Sequence, residues 1–203
     1  MRNSILVLAL AISFVKIASA ETIVLGEYAG ASQLNVRVVQ ASGSTSSYVN
    51  DCKMAYNLAY TTQSINIEFG AVQCRQGLDT WNEAPVYLSV VGGQLLHEEK
   101  PVGTIQADGT AVFTVESYQS KSVQIVHSDF NCNPSTFETK NFIVGDSITY
   151  RIKKVSDNAY QLTRSSNSLG VESIFKKEWN NCPSIIDAGA TSRESNFSVS
   201  LSK

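Results

Sequence analysis

FIVGDSITYRIKKVSDNAYQLTRSSN, residues 142–167, is the stretch whose reading decides the fold. Ile148, Tyr150 and Ile152 alternate with Thr149, Arg151 and Lys153, the period of two that marks a strand with one buried face. A second strand follows Asp157-Asn158 through Tyr160 and Leu162. A two-residue loop between them sets Ile152 opposite Thr163 and Lys153 opposite Leu162, mixing polar and apolar side chains on both faces. A three-residue loop, Ser156-Asp157-Asn158, sets Ile152 opposite Leu162. It gives one apolar face (Tyr150, Ile152, Tyr160, Leu162) and one polar face (Arg151, Lys153, Gln161, Thr163). The expectation is the three-residue loop, with Asn158 in the left-handed conformation that asparagine tolerates.

Upstream, Ile5 to Val15 is almost wholly apolar and Ala18-Ser19-Ala20 has the form of a cleavage site. Residues 1–20 are therefore expected to be a secretory signal peptide, its apolar run too short to span a membrane. The expected mature chain, residues 21–203, holds 203 − 20 = 183 residues, enough for a single domain with its own core. Two of the 16 basic residues and none of the 18 acidic ones lie in the leader, so the mature formal charge is 14 − 18 = −4. That balance speaks against nucleic acid as a partner, because phosphate recognition draws on Lys and Arg. No later stretch is long and apolar enough for a transmembrane helix. The expected location is secreted, periplasmic or extracellular.

All four cysteines, Cys52, Cys74, Cys132 and Cys182, follow the leader. An even number in an oxidising compartment points to two disulfides, and proximity along the chain favours Cys52–Cys74 and Cys132–Cys182. A zinc site lacks a C-x-x-C pair and a neighbouring histidine, so no metal is expected.

The rest of the chain reads as short strands separated by turns. Thr22–Tyr28 and Leu34–Gln40 are expected as two strands divided at Ala29-Gly30-Ala31-Ser32, and Ser64–Val72 as another with Ile65, Ile67 and Phe69 on one face. Pro85–Val91 and Gln94–Glu98 form a hairpin across Gly92-Gly93, which Pro101 closes off. Val102–Ala107 and Thr110–Ser117 form the next across a two-residue Asp108-Gly109 turn, pairing Ile105 with Val112 and leaving the hairpin apolar on both sides. Ser122–Ser128 aligns Val123, Ile125 and His127. Asn196–Ser202 alternates Phe197, Val199 and Leu201 with serines, a strand suited to closing a sheet. Two short helices are expected. One, over Asn50–Tyr60, carries a stripe of Tyr48, Cys52, Tyr56 and Tyr60; the other covers Gly170–Trp179. The fold class is all-β: an antiparallel meander forming a small barrel or sandwich, with two short helices.

Candidate chemistry is sparse. His97-Glu98-Glu99-Lys100 is the most reactive-looking cluster, but successive strand residues face opposite ways. His97 and His127 both sit on apolar faces and, if those line one interior, would anchor a ligand there with Phe113 and Val115. Trp81-Asn82-Glu83 places an aromatic beside a carboxylate, as sugar binding needs, and Arg151 with Lys153 offers a basic face to a partner. Asn196-Phe197-Ser198 is a glycosylation sequon. There is no nucleophile elbow and no phosphate-binding loop, so no catalytic residue and no cofactor is assigned. The expected function is a secreted binding protein without enzymatic activity, holding a small apolar ligand in a β-barrel. The alternative is an adhesin-like or inhibitor-like module for a protein or cell-surface partner. A third reading is a secreted hydrolase around His97, Glu98 or Glu83.

Overall fold

The computed structural model describes residues 24–75, 83–128, 134–176 and 185–203. They form one antiparallel sheet of eleven strands: β1 (Gly26–Val39), β2 (Thr45–Tyr60), β3 (Ser64–Cys74), β4 (Val86–Val91), β5 (Gln94–His97), β6 (Lys100–Ile105), β7 (Ala111–Glu116), β8 (Gln119–Ser128), β9 (Pro134–Ser156), β10 (Ala159–Lys176) and β11 (Ile185–Ser202). Strands β1 to β7 pair in chain order, β7 pairs with β9, β9 with β10, β10 with β11, and β11 returns to β1. All strands but β8 thus complete a ring, and the fold is a barrel-like all-β meander.

Period-two alternation builds this ring. Along β11, Phe197, Val199 and Leu201 are buried while the serines between them face out, and Leu34 and Val36 of β1 are buried beside them. Their ladder, Ala29↔Ser202 to Val39↔Ser192, closes the ring as the serine-alternating strand suggests. The opening hairpin keeps the expected register, Ile152↔Leu162, with Tyr150, Ile152, Tyr160 and Leu162 buried. Its turn differs from expectation. Ser156 pairs with Ala159 across Asp157-Asn158, and a bulge between Ala159 and Tyr160 restores the register. Among the described residues the non-glycine positive φ angles belong to Glu98 and Glu99, so Asn158 is not left-handed.

Both expected helices are strands. Asn50–Tyr60 lies within β2, where Asn50, Cys52, Met54, Tyr56 and Leu58 are buried in strict alternation. The stripe of Tyr48, Cys52, Tyr56 and Tyr60 misled because a spacing of four satisfies a period of two as well as one of 3.6. Gly170–Lys176 continues β10, in register with β11 down to Lys176↔Ile185; the remainder of that expected helix lies outside the described residues. Residues 26–39 are one strand, undivided at Gly30. A Cβ on Gly30 would lie 2.3 Å from the Ser200 carbonyl oxygen, so this glycine marks close strand approach and no turn.

Other turns need glycine's freedom or do without it. Gly92 and Gly93 both have positive φ, as the primed two-residue turn demands, and Val90 pairs with Leu95. Gly109 instead closes a longer loop, in which Gln106 N–H donates to Thr110 O (2.8 Å) and Ile105 pairs with Ala111 and not with Val112. That one-residue shift points Ala111 and Phe113 inward and leaves Val112 half-buried. A further tight turn that the sequence does not advertise joins β5 to β6 at Glu98-Glu99, so Pro101 lies inside a strand opposite Leu96.

Strands β7 and β8 behave as one strand bent at Ser117-Tyr118. The offset that pairs Glu116 with Ser147 also pairs Gln119 with Val144 and holds as far as His127, so β9 runs past the bend without a slip. Gly145, opposite the bend, has φ 133°, and a Cβ there would lie 2.2 Å from the Ser117 carbonyl. Beyond it, β8 with the first half of β9 leaves the ring as a two-stranded arm. The end of β10 with the start of β11 forms another. The arms touch through Ile185↔His127 and Ile186↔Val126, and Lys140 Nζ lies 2.8 Å from Asp187 Oδ1 between them.

Cys52 and Cys74 face each other on β2 and β3 and form the expected disulfide; Cys132 and Cys182 lie outside the described residues. The bridge spans 22 residues, a loop for which chain entropy suggests about 3 kcal/mol of stabilisation. Replacing both cysteines (C52A with C74A) should lower urea-unfolding stability by about that amount. An unchanged midpoint would show that the hairpin is already held by its ladder.

Candidate functional site

A buried ion pair stands in the largely apolar interior. Arg164 follows Tyr160 and Leu162 on the inward face of β10, and its guanidinium meets the carboxylate of Glu83, which precedes β4. The side chains are 7% and 4% exposed. Tyr150 on β9 donates its hydroxyl to the other oxygen of Glu83. Arg164 Nη1 donates to Ser166 Oγ (3.0 Å) and Ser195 Oγ (3.2 Å), and those hydroxyls are 2.8 Å apart. The Phe197 ring lies 6.0 Å from the guanidinium carbon. The Tyr56 hydroxyl belongs to the same cluster, fully buried and without a hydrogen-bond partner among the described residues.

Two phenols of this cluster are strongly affected. Burial, then the charge of Glu83, pushes both Tyr56 and Tyr150 well above the ordinary tyrosine value of 10.0, with Arg164 opposing. The phenols therefore stay neutral hydrogen-bond donors. Glu83 is occupied by Arg164 and Tyr150, an arrangement that ties the segment before β4 to the far wall of the barrel.

The residues singled out in the sequence fall in different places. Phe113 is buried and stacks on Tyr150, centroids 5.1 Å apart. His97 and Val115 share an open groove of about 480 Å³ with Glu98, Lys100 and Glu116. His97 Nδ1 lies 3.2 Å from the Tyr87 carbonyl. His127 is on β8, between β9 and β11, whereas His97 is on β5, between β4 and β6; their strands are not neighbours. Among the described residues no group of His, Cys, Asp and Glu has metal-binding geometry. Trp81 and Asn82 lie outside the described residues, while Glu83 points inward. Arg151 and Lys153 face outward as expected, but Lys153 Nζ is 3.0 Å from Asp108 Oδ2 and Arg151 Nη2 is 3.5 Å from Gln106 Oε1. The Lys153 contact, with Thr110, holds the Asp108 carboxyl at about 2.

Neither a known protein family nor any curated protein matches the chain. What Arg164 and Glu83 do must be read from the barrel itself.

A buried pair of this kind is costly to half-remove. Arg164→Met or Glu83→Gln alone should destabilise by about 3–5 kcal/mol in urea unfolding, and Met at both positions should recover most of the loss. Additive losses would mean that the charges are not coupled. The tyrosines set an alkaline limit. Their folded pKa values are raised, so their contribution is present below pH 10.0 and is lost as pH rises beyond it. Phenolate absorbance should show fewer than the 8 tyrosines ionising while the fold persists. Reversible titration of all of them in folded protein would contradict the burial of Tyr56 and Tyr150.

Proposed function

We propose that the protein is an exported, non-catalytic binding protein that meets its partner with the outside of the barrel. The observation that carries this reading is the occupancy of the interior by the protein's own side chains. Tyr28 packs edge-on against Tyr160 (4.7 Å) near one end, Phe113 stacks on Tyr150, and Arg164 with Glu83 crosses the interior. One continuous cluster joins residues from β1 to β5, β7 and β9 to β11. Such an interior makes a rigid scaffold, and scaffolds of this kind present their binding groups on the outer surface. Export agrees with the apolar leader and with the Cys52–Cys74 bridge, which persists in oxidising compartments. The absence of catalysis agrees with a buried carboxylate committed to Arg164 and with histidines on separate strands.

The second reading is a small apolar ligand held in the barrel. It has one observation in its favour: a groove of about 610 Å³ lined by Glu68, Phe69, Glu83, Ala84 and Pro85. Phe69 there packs against Tyr56, whose hydroxyl has no hydrogen-bond partner among the described residues.

Mass spectrometry under native conditions separates the two. Gently purified protein should show the polypeptide mass alone, and a fluorescent fatty-acid probe should show no saturable uptake. A stoichiometric small molecule, or a probe that saturates and raises Tm, would move the binding site inside and sink the outer-surface reading.

A further inference from the structure

The wall of the barrel opens between β6 and β7. Their ladder runs from Ile105↔Ala111 to Gly103↔Phe113 and stops. The same offset would next pair Val102 with Thr114, Pro101 with Val115 and Lys100 with Glu116. These six residues instead line the banks of the open groove of about 480 Å³. A bulge explains the parting. Leu95 pairs with Gly103 but Leu96 with Pro101, so Val102 is an extra residue on β6, and the strand bends there, away from β7.

The bank formed by β7 is a strand edge. Ser117 N–H donates to Asp146 O on β9 (2.8 Å), and hydrogen-bonded pairs alternate along an antiparallel ladder, so Val115 also bonds toward β9. Thr114 and Glu116 therefore direct their backbone N–H and C=O groups the other way, toward the groove. Among the described residues, none from Val115 to Ile125 has a ladder partner on that side; pairing resumes at Val126, with β11. Such an edge selects another strand, because an extended backbone presents donors and acceptors at the matching spacing.

We propose that this groove binds an extended peptide segment of a protein partner, added as a strand along β7. The proposal rests on the outer-surface reading and names the class of partner.

Side chains narrow the sequence of that peptide. Val102 and Val115, half-buried against the core, form the floor and call for an aliphatic side chain above them. Glu116 and Lys100 are exposed on opposite banks, and neither has an ion-pair partner among the described residues. A residue seated between a carboxylate and an ammonium answers both only if it donates and accepts, as serine, threonine, asparagine and glutamine do. On its other side β7 already pairs with a strand of this pattern. Ser147, Ile148 and Thr149 of β9 lie opposite Glu116, Val115 and Thr114, and Ser147 Oγ donates to Glu116 Oε1 (3.4 Å). The expected ligand alternates uncharged polar residues with aliphatic ones.

The probe is a displayed library of short random peptides selected on the intact exported protein, followed by synthetic copies of the enriched sequences. The expected result is enrichment of alternating sequences that bind saturably by fluorescence anisotropy. Amide exchange at Glu116, open in the free protein while Val115 and Ser117 are protected, should slow on binding. N-methylation of alternate peptide amides should weaken binding at least about tenfold in one register and leave it intact in the other. Glu116→Pro removes a donor from the edge without touching the β9 ladder and should weaken binding to a similar extent. Val49→Ser, at an exposed position on β2, should leave it unchanged, and Tm of each variant reports folding.

Failure to enrich any peptide overturns the proposal. So does binding that N-methylation spares in both registers, or that folded Glu116→Pro keeps in full; should that variant not fold, the N-methyl series decides. A dimer in native mass spectrometry, with Glu116 already protected before peptide is added, assigns the edge to a second copy and overturns the peptide partner. If peptide binding fails while the interior proves empty by mass spectrometry, the outer-surface reading survives without this partner; a ligand found inside removes both.

Discussion

Closure of the ring between β1 and β11 is the constraint on which the remaining structure depends. An open sheet of this length would expose two long edges and could not cover the apolar face that its alternating sequence creates. Joining the last strand to the first removes both edges at that seam. It also brings Phe197, Val199 and Leu201 beside Leu34 and Val36. The join is tight enough that Gly30 has no room for a Cβ against Ser200. Chain order does the rest. Most connections are short hairpins, and the constant offset of β9 against β7 and β8 carries one ladder from the barrel into the arm.

A core closed in this way can hold a charge only if the charge is answered. Arg164 stands where the alternation of Tyr160 and Leu162 calls for another apolar residue, and Glu83, Ser166 and Ser195 answer it. Two opposite charges in an interior that excludes water gain little net stability over well-packed apolar groups. Either one alone would be strongly destabilising. The pair is therefore better understood as a device of specificity: it accepts one position for the segment leading into β4 and penalises others. Tyr150 serves both sides of this arrangement, stacking on Phe113 with its ring and donating to Glu83 with its hydroxyl.

Much of the barrel was legible because burial on one face writes a period of two into the chain. The hairpin of Tyr150, Ile152, Tyr160 and Leu162, the turn at Gly92-Gly93 and the closing strand all declared themselves in that way. So did the Cys52–Cys74 bridge, from proximity. The misreadings have physical causes. Tyr48, Cys52, Tyr56 and Tyr60 fit helix and strand alike, and the ladder decided between them. Asp108-Gly109 looked like a two-residue turn, but Gly109 serves a longer loop that shifts the register by one. Glu98-Glu99 turns the chain with left-handed residues that carry no turn signature. Arg164 could have been found: a charge at the next inward position after Tyr160 and Leu162 is a departure from pattern, and such departures need a buried partner. Its partner could not, since nothing local ties Glu83 to a residue 81 positions away in sequence.

The outer face was illegible for a different reason. Serine, threonine and asparagine between buried residues are the ordinary solvent side of a strand, and taken one strand at a time they signify nothing more. Only the registers of β7, β9, β10, β11 and β1 line Thr114, Thr149, Ser165, Asn196 and Asn35 into one row. Those registers are set from the inside, by which side chains must be buried. The packed interior and the ordered exterior are thus one constraint seen from two sides: Phe197 turned inward obliges Asn196 and Ser198 to turn outward. Were the core loose enough to let a strand slip by one residue, the row would dissolve as the core did. A surface held to strand spacing by its own core enters binding already arranged and loses less entropy there than the same groups would on mobile loops.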